Sequence, residues 1–249
     1  MGIWQVLREL PREHATLSLG GRERSFGGAS LPAYGRAAGL IDGTEVPAHG
    51  YFMLSASDGA RAAVALAEAL PETSTRPILL ATEQDGEALR VGVRLVVPRE
   101  GTRSLLGVTG VSFHIACPGT PRRADGAVEV GGELPRPGTY EVATRAPERA
   151  VEAWSGVRLS DLLAEAGMFF MTDGEALAAQ VVVVTGADGS HTVLAASEVG
   201  PEYAHAPVLL ATHRDGVRLA DEAIRLVVPF DRTDARSIAS VVAIELRTG

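Results

Sequence analysis

The stretch Pro77 to Gly86 reads PILLATEQDG, and Pro207 to Gly216 reads PVLLATHRDG. Each is followed by RLVVP, at Arg94 to Pro98 and at Arg225 to Pro229. The correspondence extends outward in the same order. Pro71-Glu72 answers Pro201-Glu202, Asp58-Gly59 answers Asp188-Gly189, and Glu68 answers Glu198. Further upstream, Phe26, Gly28, Leu31 and Gly39 answer Trp154, Gly156, Leu159 and Gly167, and Leu10-Pro11-Arg12 answers Leu134-Pro135-Arg136. Ordered self-similarity at a nearly constant offset is the mark of an internal repeat. The chain reads as a tandem duplication, with a more divergent first repeat over 1–116, a linker over 117–126 and a second repeat over 127–249. A unit of roughly 120 residues is an ordinary domain size. The Pro, Gly and Arg content of CPGTPRRADG, Cys117 to Gly126, suits an exposed connection.

Two copies should share one fold, so each helps to read the other. Leu159 to Ala166, LSDLLAEA, predicts a short helix with Ser160 as N-cap and Gly167 just past its end. Gln180 to Ala187 predicts a strand, Asp188-Gly189 a hairpin turn, and Thr192 to Ala196 its returning partner. Val208 to Thr212, Arg225 to Val228 and Val241 to Leu246 are further strands, with a second turn at Asp215-Gly216. Ala60 to Leu70 has strong helix propensity, yet its counterpart reads as a strand. The reading there is a strand for the first half and a short helix near Ala67. The fold class is α+β, a mostly antiparallel or mixed sheet with short covering helices.

Composition narrows the chemistry. The 249 residues contain no lysine and no asparagine, so all 23 basic residues are arginine. Schiff-base catalysis by lysine is excluded, as are the Walker A and kinase lysines. The bias toward Ala, Gly, Arg and Val points to a GC-rich bacterial genome. With a net charge of −8 and no basic run beyond Arg122-Arg123, nucleic acid is not the expected partner. No apolar stretch approaches the ~18 residues of a membrane span, and the N-terminal residues lack a signal-peptide pattern. With a single cysteine, Cys117, no internal disulfide can form. A cytoplasmic protein is expected.

The run Trp154-Ser155-Gly156-Val157-Arg158-Leu159, then Leu162-Leu163 and Ala166-Gly167, fits the pattern W-x-G-V-x-L-x-x-L-L-x-x-A-G. Asp188-Gly189, Leu209-Leu210-Ala211, Asp215-Gly216, RLVVP and Ile244-Glu245-Leu246 follow in order. This order resembles the molybdopterin-binding domain of the sulfite oxidase family over most of 126–249 and, more faintly, over 1–116. The resemblance implies an oxidoreductase whose molybdenum is held by a pterin dithiolene and one protein cysteine. It makes Trp154, Arg158 and Arg225 candidate cofactor-binding residues. The ligand cysteine should fall within Tyr140 to Ala153, where YEVATRAPERAVEA contains none. Cys117 lies on the far side of the strand that should precede the ligand. The expectation is therefore a sulfite-oxidase-like pseudoenzyme without a metal or cofactor, acting as a binding or scaffold protein or as a cofactor-independent enzyme. A molybdopterin-dependent oxidoreductase is the alternative.

His191, His205 and His213, with Asp188, are the candidate acid–base residues. Their first-repeat counterparts at the histidine positions are Arg61, Thr75 and Glu83, so the imidazoles are specific to one half. His114 and Cys117 form at most a metal half-site. VVVVTGADG, Val181 to Gly189, lacks the glycine spacing of a dinucleotide-binding turn and reads as a hairpin. Met168-Phe169-Phe170-Met171 packs in the core or, if exposed, marks a partner surface. Arg94 and Arg225 recur in both halves, where arginine can pair with a carboxylate at a sheet edge.

Overall fold

The computed structural model describes residues 2–42, 48–74, 77–98, 103–117, 127–129, 140–144, 151–168, 177–200, 207–220 and 223–248. In the first half, β1 (Glu13–Leu19), β2 (Arg22–Ser30), β3 (Gly50–Ala56), β4 (Arg61–Ala65), β5 (Leu79–Gln84), β7 (Val93–Val96) and β8 (Leu106–Ile115) form one sheet. Its order is β1-β2-β5-β7-β8-β3-β4, and β6 (Glu87–Ala88) pairs with β5. The second half divides the same path into two sheets. One runs β10 (Tyr140–Thr144), β11 (Glu152–Arg158), β14 (Leu209–Arg214), β15 (Val217–Arg218), with β16 (Arg225–Val227) also on β14. The other runs β13 (His191–Ala195), β12 (Gln180–Gly186), β17 (Val241–Thr248), β9 (Ala127–Glu129). Where β7 meets β8 in the first half, the second has the backbone bonds Val241 N–H to Ile224 C=O, 2.9 Å, and Leu226 N–H to Ile238 C=O, 2.8 Å.

Every pairing among the described residues is antiparallel, so the fold is mostly antiparallel sheet with few short helices and not a mixed sheet. The helices that lie wholly among the described residues are α1 (Ile3–Leu7), α2 (Leu31–Ala37), α3 (Leu66–Ala69), α4 (Leu159–Glu165) and α5 (Ala196–Val199). Strand followed by a single helical turn is what Ala60 to Leu70 adopts, as do His191 to Val199. Helix propensity yields there because Ala62 to Ala65 are fully buried in a strand pairing with β3. Ser160 is not the N-cap of α4. Arg158 holds that place without a side-chain bond, and Ser160 is buried in the first turn. Gly167 does take the left-handed φ of +78° that ends the helix.

One irregularity occurs in both halves. The register of β2 on β5 shifts between Gly27 and Gly28, leaving Thr82 unmatched, and that of β11 on β14 shifts between Ser155 and Gly156, leaving Thr212 unmatched. Such bulges bring backbones together. A Cβ on Gly156 would overlap the Leu210 carbonyl and lie 2.7 Å from Ala211 Cα, and one on Gly28 would meet Leu80 and Ala81 in the same way. The hairpins beyond also agree. Asp85-Gly86 and Asp215-Gly216 both have positive φ at their two central residues, the tight turn that suits strand twist. The Asp85 carboxylate accepts from Ser25 N–H at 3.0 Å, and that of Asp215 from Ala153 N–H at 2.9 Å.

Each half has its own apolar core, built around Phe52, Leu54, Leu80 and Leu95 in the first and Leu163, Val182, Leu210 and Leu226 in the second. A third cluster joins them, with Met53, Ala63 and Ala65 against Val181, Val183 and Val193. The small alanines let β4 approach β12 and β13, and Thr192 donates to the Ala48 carbonyl at 3.3 Å. No helix among the described residues is long and apolar enough to cross a membrane.

Candidate functional site

Alternation along β11 places Trp154, Gly156 and Arg158 on one face of its sheet. Neighbouring strands bring Tyr140 and Ala211 opposite Gly156, and Arg225 opposite Ala211. Trp154, Leu209, Ala211 and Val227 form an apolar cluster, with Tyr140 and Leu219 packed on it. Arginines lie over the aromatic rings. The Arg158 guanidinium carbon sits 3.5 Å from the Tyr140 ring centre, and those of Arg214 and Arg225 sit 5.4 and 5.6 Å from that of Trp154. A cation over a ring gains about 0.5–1 kcal/mol when exposed and more when desolvated. The three cofactor-binding candidates, Trp154, Arg158 and Arg225, therefore share one face.

Their ionic surroundings differ. Arg214 pairs with Glu152 and lies 3.8 Å from Asp215. Arg225 donates to Ser237 Oγ at 2.9 Å, and its terminal nitrogen is 4.0 Å from Asp234. Arg158 has no carboxylate partner among the described residues, and its Nε is buried without a hydrogen bond. In the first half Phe26 stands at the position of Trp154, with Arg94 5.3 Å from its ring centre, while Ser30 stands at the position of Arg158. The expectation of a sheet-edge carboxylate pair for Arg94 does not hold among the described residues. β7 is an inner strand, burial lowers the pKa of Arg94, and its Nε has no partner.

Of the candidate histidines, only His191 and His213 lie among the described residues. His191 begins β13 and His213 lies on β14, in different sheets, and His205 lies outside the described residues. His191 instead meets His49 of the first half, ring centres 4.3 Å apart, with His191 Nε2 buried and unpartnered. Burial, and secondarily the His191 charge, lowers the pKa of His49. Asp188 shapes its turn, accepting from the Ser190 hydroxyl and from Ser190 N–H at 2.9 Å, and those bonds hold its carboxyl below the ordinary range. His213 bonds to Thr212 Oγ1 at 3.0 Å. Met168 is half-buried against the second core, and Phe169, Phe170 and Met171 lie outside the described residues.

Cys117 follows β8 and is exposed, its carbonyl accepting from Arg247 at 2.7 Å. His114 next to it stacks on Tyr51 and bonds to Ser112 Oγ at 2.8 Å. Among the described residues no three His, Cys, Asp or Glu side chains gather as metal ligands.

A second polar group is buried deeper. Arg236, 0% exposed, donates to both oxygens of Glu198 at 2.8 and 3.0 Å and to those of Asp231 at 2.8 and 2.6 Å. Arg103, also 0% exposed, binds Glu68 and the Ala63 carbonyl. The two sets sense each other across the halves. Burial above all, with the Glu68 charge adding to it, pushes the Glu198 carboxyl up to about 8 despite Arg236. Burial works against the charge of Arg236, but Asp231 and Glu198 outweigh it and hold its pKa up. The repetition of Glu68 as Glu198 was visible in the sequence. Its arginine partners were not, because Arg103 and Arg236 stand at a slightly different offset.

This architecture, antiparallel sheet with short helices around a W-x-G-V strand, is that of a molybdopterin-type oxidoreductase domain. The chain belongs to the oxidoreductase molybdopterin binding domain family, whose profile matches residues 104–248, more than half of its length. The match begins just before β8 and runs through β17. No curated protein matches the chain.

Proposed function

We propose that this chain is a duplicated molybdopterin-domain fold that works as a binding protein without a molybdenum centre. The observation that carries this reading is the location of its one sulfur donor suited to molybdenum. A dithiolene-held molybdenum of this family asks the protein for one fixed thiolate. The only cysteine, Cys117, is exposed at the end of β8, outside the sheet that carries Trp154, Arg158 and Arg225. That donor set does not fit a cysteine-anchored metal beside Trp154. Binding is favoured over cofactor-free catalysis because His191 and His213 lie in separate sheets and Asp188 is engaged in its own turn. The reading of the chain as two repeats, 1–116 and 127–249 joined by 117–126, is supported by the matching bulges at Gly28 and Gly156, the matching turns, and the paired Glu68–Arg103 and Glu198–Arg236 bridges.

Elemental analysis of protein purified from a host that makes the cofactor tests this, together with pterin fluorescence after oxidation. The expected result is no stoichiometric molybdenum and no pterin signal. Stoichiometric molybdenum that is lost in Cys117→Ser would overturn the proposal and favour the second reading, a molybdopterin-dependent oxidoreductase, which family membership supports.

A further inference from the structure

We propose that His49 and His191, which meet across the seam between the two halves, form a binding site for a divalent transition-metal ion of the nickel or copper type. His191 belongs to a different sheet from Trp154, and the site stands whether or not the Trp154 face carries molybdenum. The His191 ring is the central observation. Its Nδ1 lies 3.3 Å from the Gly189 carbonyl. A carbonyl only accepts, so Nδ1 carries the ring proton and the lone pair is left on Nε2. That Nε2 is buried and has no hydrogen-bond partner. A proton fixed on one ring nitrogen by a backbone carbonyl, with the other nitrogen free, is how an imidazole is presented to a metal. The His49 ring stands 4.3 Å away, centre to centre. Thr185, directly opposite His191 on β12 and so on the same face, adds a second buried polar atom without a partner, its Oγ1. A buried lone pair that has lost water and gained no donor is unfavourable, and an ion with its waters satisfies both atoms.

The separation of the rings selects the ion. With metal–nitrogen bonds of about 2.1 Å, two imidazoles at a right angle have ring centres about 4.5 Å apart, and a tetrahedral angle asks for about 5.2 Å. The observed spacing matches the right angle, which suits nickel and copper better than tetrahedral zinc. Backbone bonds across the seam hold that spacing. The Ala48 carbonyl, next to His49, accepts from Thr192 Oγ1 at 3.3 Å and from Val193 N–H at 3.4 Å, beside His191. The His49 carbonyl accepts from Ala116 N–H at 3.0 Å. Among the described residues no third His, Cys, Asp or Glu joins the pair, so water fills the remaining positions, with the Thr185 hydroxyl as its hydrogen-bond partner. The first half does not repeat the site, because Arg61 and Ser55 stand where His191 and Thr185 stand. One ion per chain is therefore expected.

Calorimetric titration of the untagged full chain with Ni²⁺ at pH 7.5 tests the proposal. One ion should bind per chain, and the melting temperature should rise with it, since the ion binds the folded protein alone. His49→Gln and His191→Gln should each weaken binding about tenfold or more, the least that loss of a ligand costs. His114→Ala and Cys117→Ser should leave it unchanged, and Zn²⁺ should bind more weakly than Ni²⁺. A measurement on the wild type guards against a variant that fails to fold: with Cu²⁺ bound, pulsed electron paramagnetic resonance should count two coordinated imidazoles. No binding by the wild type, fewer than two imidazoles on copper, or wild-type affinity in either Gln variant would overturn the site. Unchanged affinity in both Gln variants would mark an adventitious ion only. Equal loss in His114→Ala would move the ion to the other candidate ligands, and tighter binding of Zn²⁺ than of Ni²⁺ would overturn the right-angle assignment.

Discussion

Replacing Arg236 by leucine should be among the most damaging single changes in the chain. Arg236 is fully buried and makes four hydrogen bonds to two carboxylates that are themselves nearly inaccessible. The leucine removes the cation and leaves Glu198 and Asp231 facing each other without it. Breaking one side of a buried pair costs about 3–5 kcal/mol, chiefly from the uncompensated charge that remains. For a chain of this length each kcal/mol shifts the melting temperature by about 2–4 °C, so a fall of about 6–20 °C is expected. Circular-dichroism melts at pH 7.5 and pH 5 measure it. Arg103→Leu should also be destabilising, because Arg103 is 0% exposed and is bound to the buried Glu68 carboxylate. A loss in Arg236→Leu of under about 1 kcal/mol, the size of an exposed ion pair, would show that this bridge is not desolvated and would refute the argument.

Three other outcomes follow from the same geometry. With its folded carboxyl at about 8, above the ordinary 4.5, Glu198 stabilises fully below the ordinary value and progressively less as pH rises through 8. The wild-type melting temperature should therefore fall between pH 6 and pH 9, and a Glu198→Gln variant with the same slope would contradict this. His49 has the opposite sign: a lowered folded pKa stabilises above the ordinary 6.5 and is lost as pH falls. His49→Gln should flatten the decline in stability between pH 7 and pH 5, and unchanged steepness in that variant would rule out a contribution from this pair. Gly156→Ala drives a Cβ into the Leu210 carbonyl and should destabilise by several kcal/mol, whereas Gly167→Ala meets open space and strains only a positive φ, for about 1 kcal/mol. Equal urea midpoints for the two variants would show that the bulge yields easily.

Much of the strand order was legible because repetition fixed it. Asp85-Gly86 and Asp215-Gly216 announce their hairpins through the one backbone geometry that Asp-Gly favours, and Val181 to Val184 could be little other than a buried strand. Ala60 to Leu70 became readable only beside its counterpart, since its alanines favour helix locally and tertiary burial decides otherwise. Ser160 misled because an N-cap preference says nothing about a position already taken by the last residue of β11. At the candidate site, Trp154, Arg158 and Arg225 could be listed from the sequence, but their meeting depends on the register of β11, β14 and β16. Tyr140 and His49 could not be found, because their partners come from other strands and their own surroundings carry no spacing signal. The buried arginines were hidden for a further reason: composition treats arginine as a surface residue, and only long-range packing places Arg103 and Arg236 inside.

The chain has two tryptophans, and the fold puts them in opposite circumstances. Trp4, on the short N-terminal helix, is 42% exposed, while Trp154 is 5% exposed beneath Arg214 and Arg225. A neutral collisional quencher will extinguish the first indole and spare the second. The emission that survives then comes from the W-x-G-V strand itself. The protein thus contains its own optical gauge of that face, readable without a label and blind to the Phe26 face of the other half.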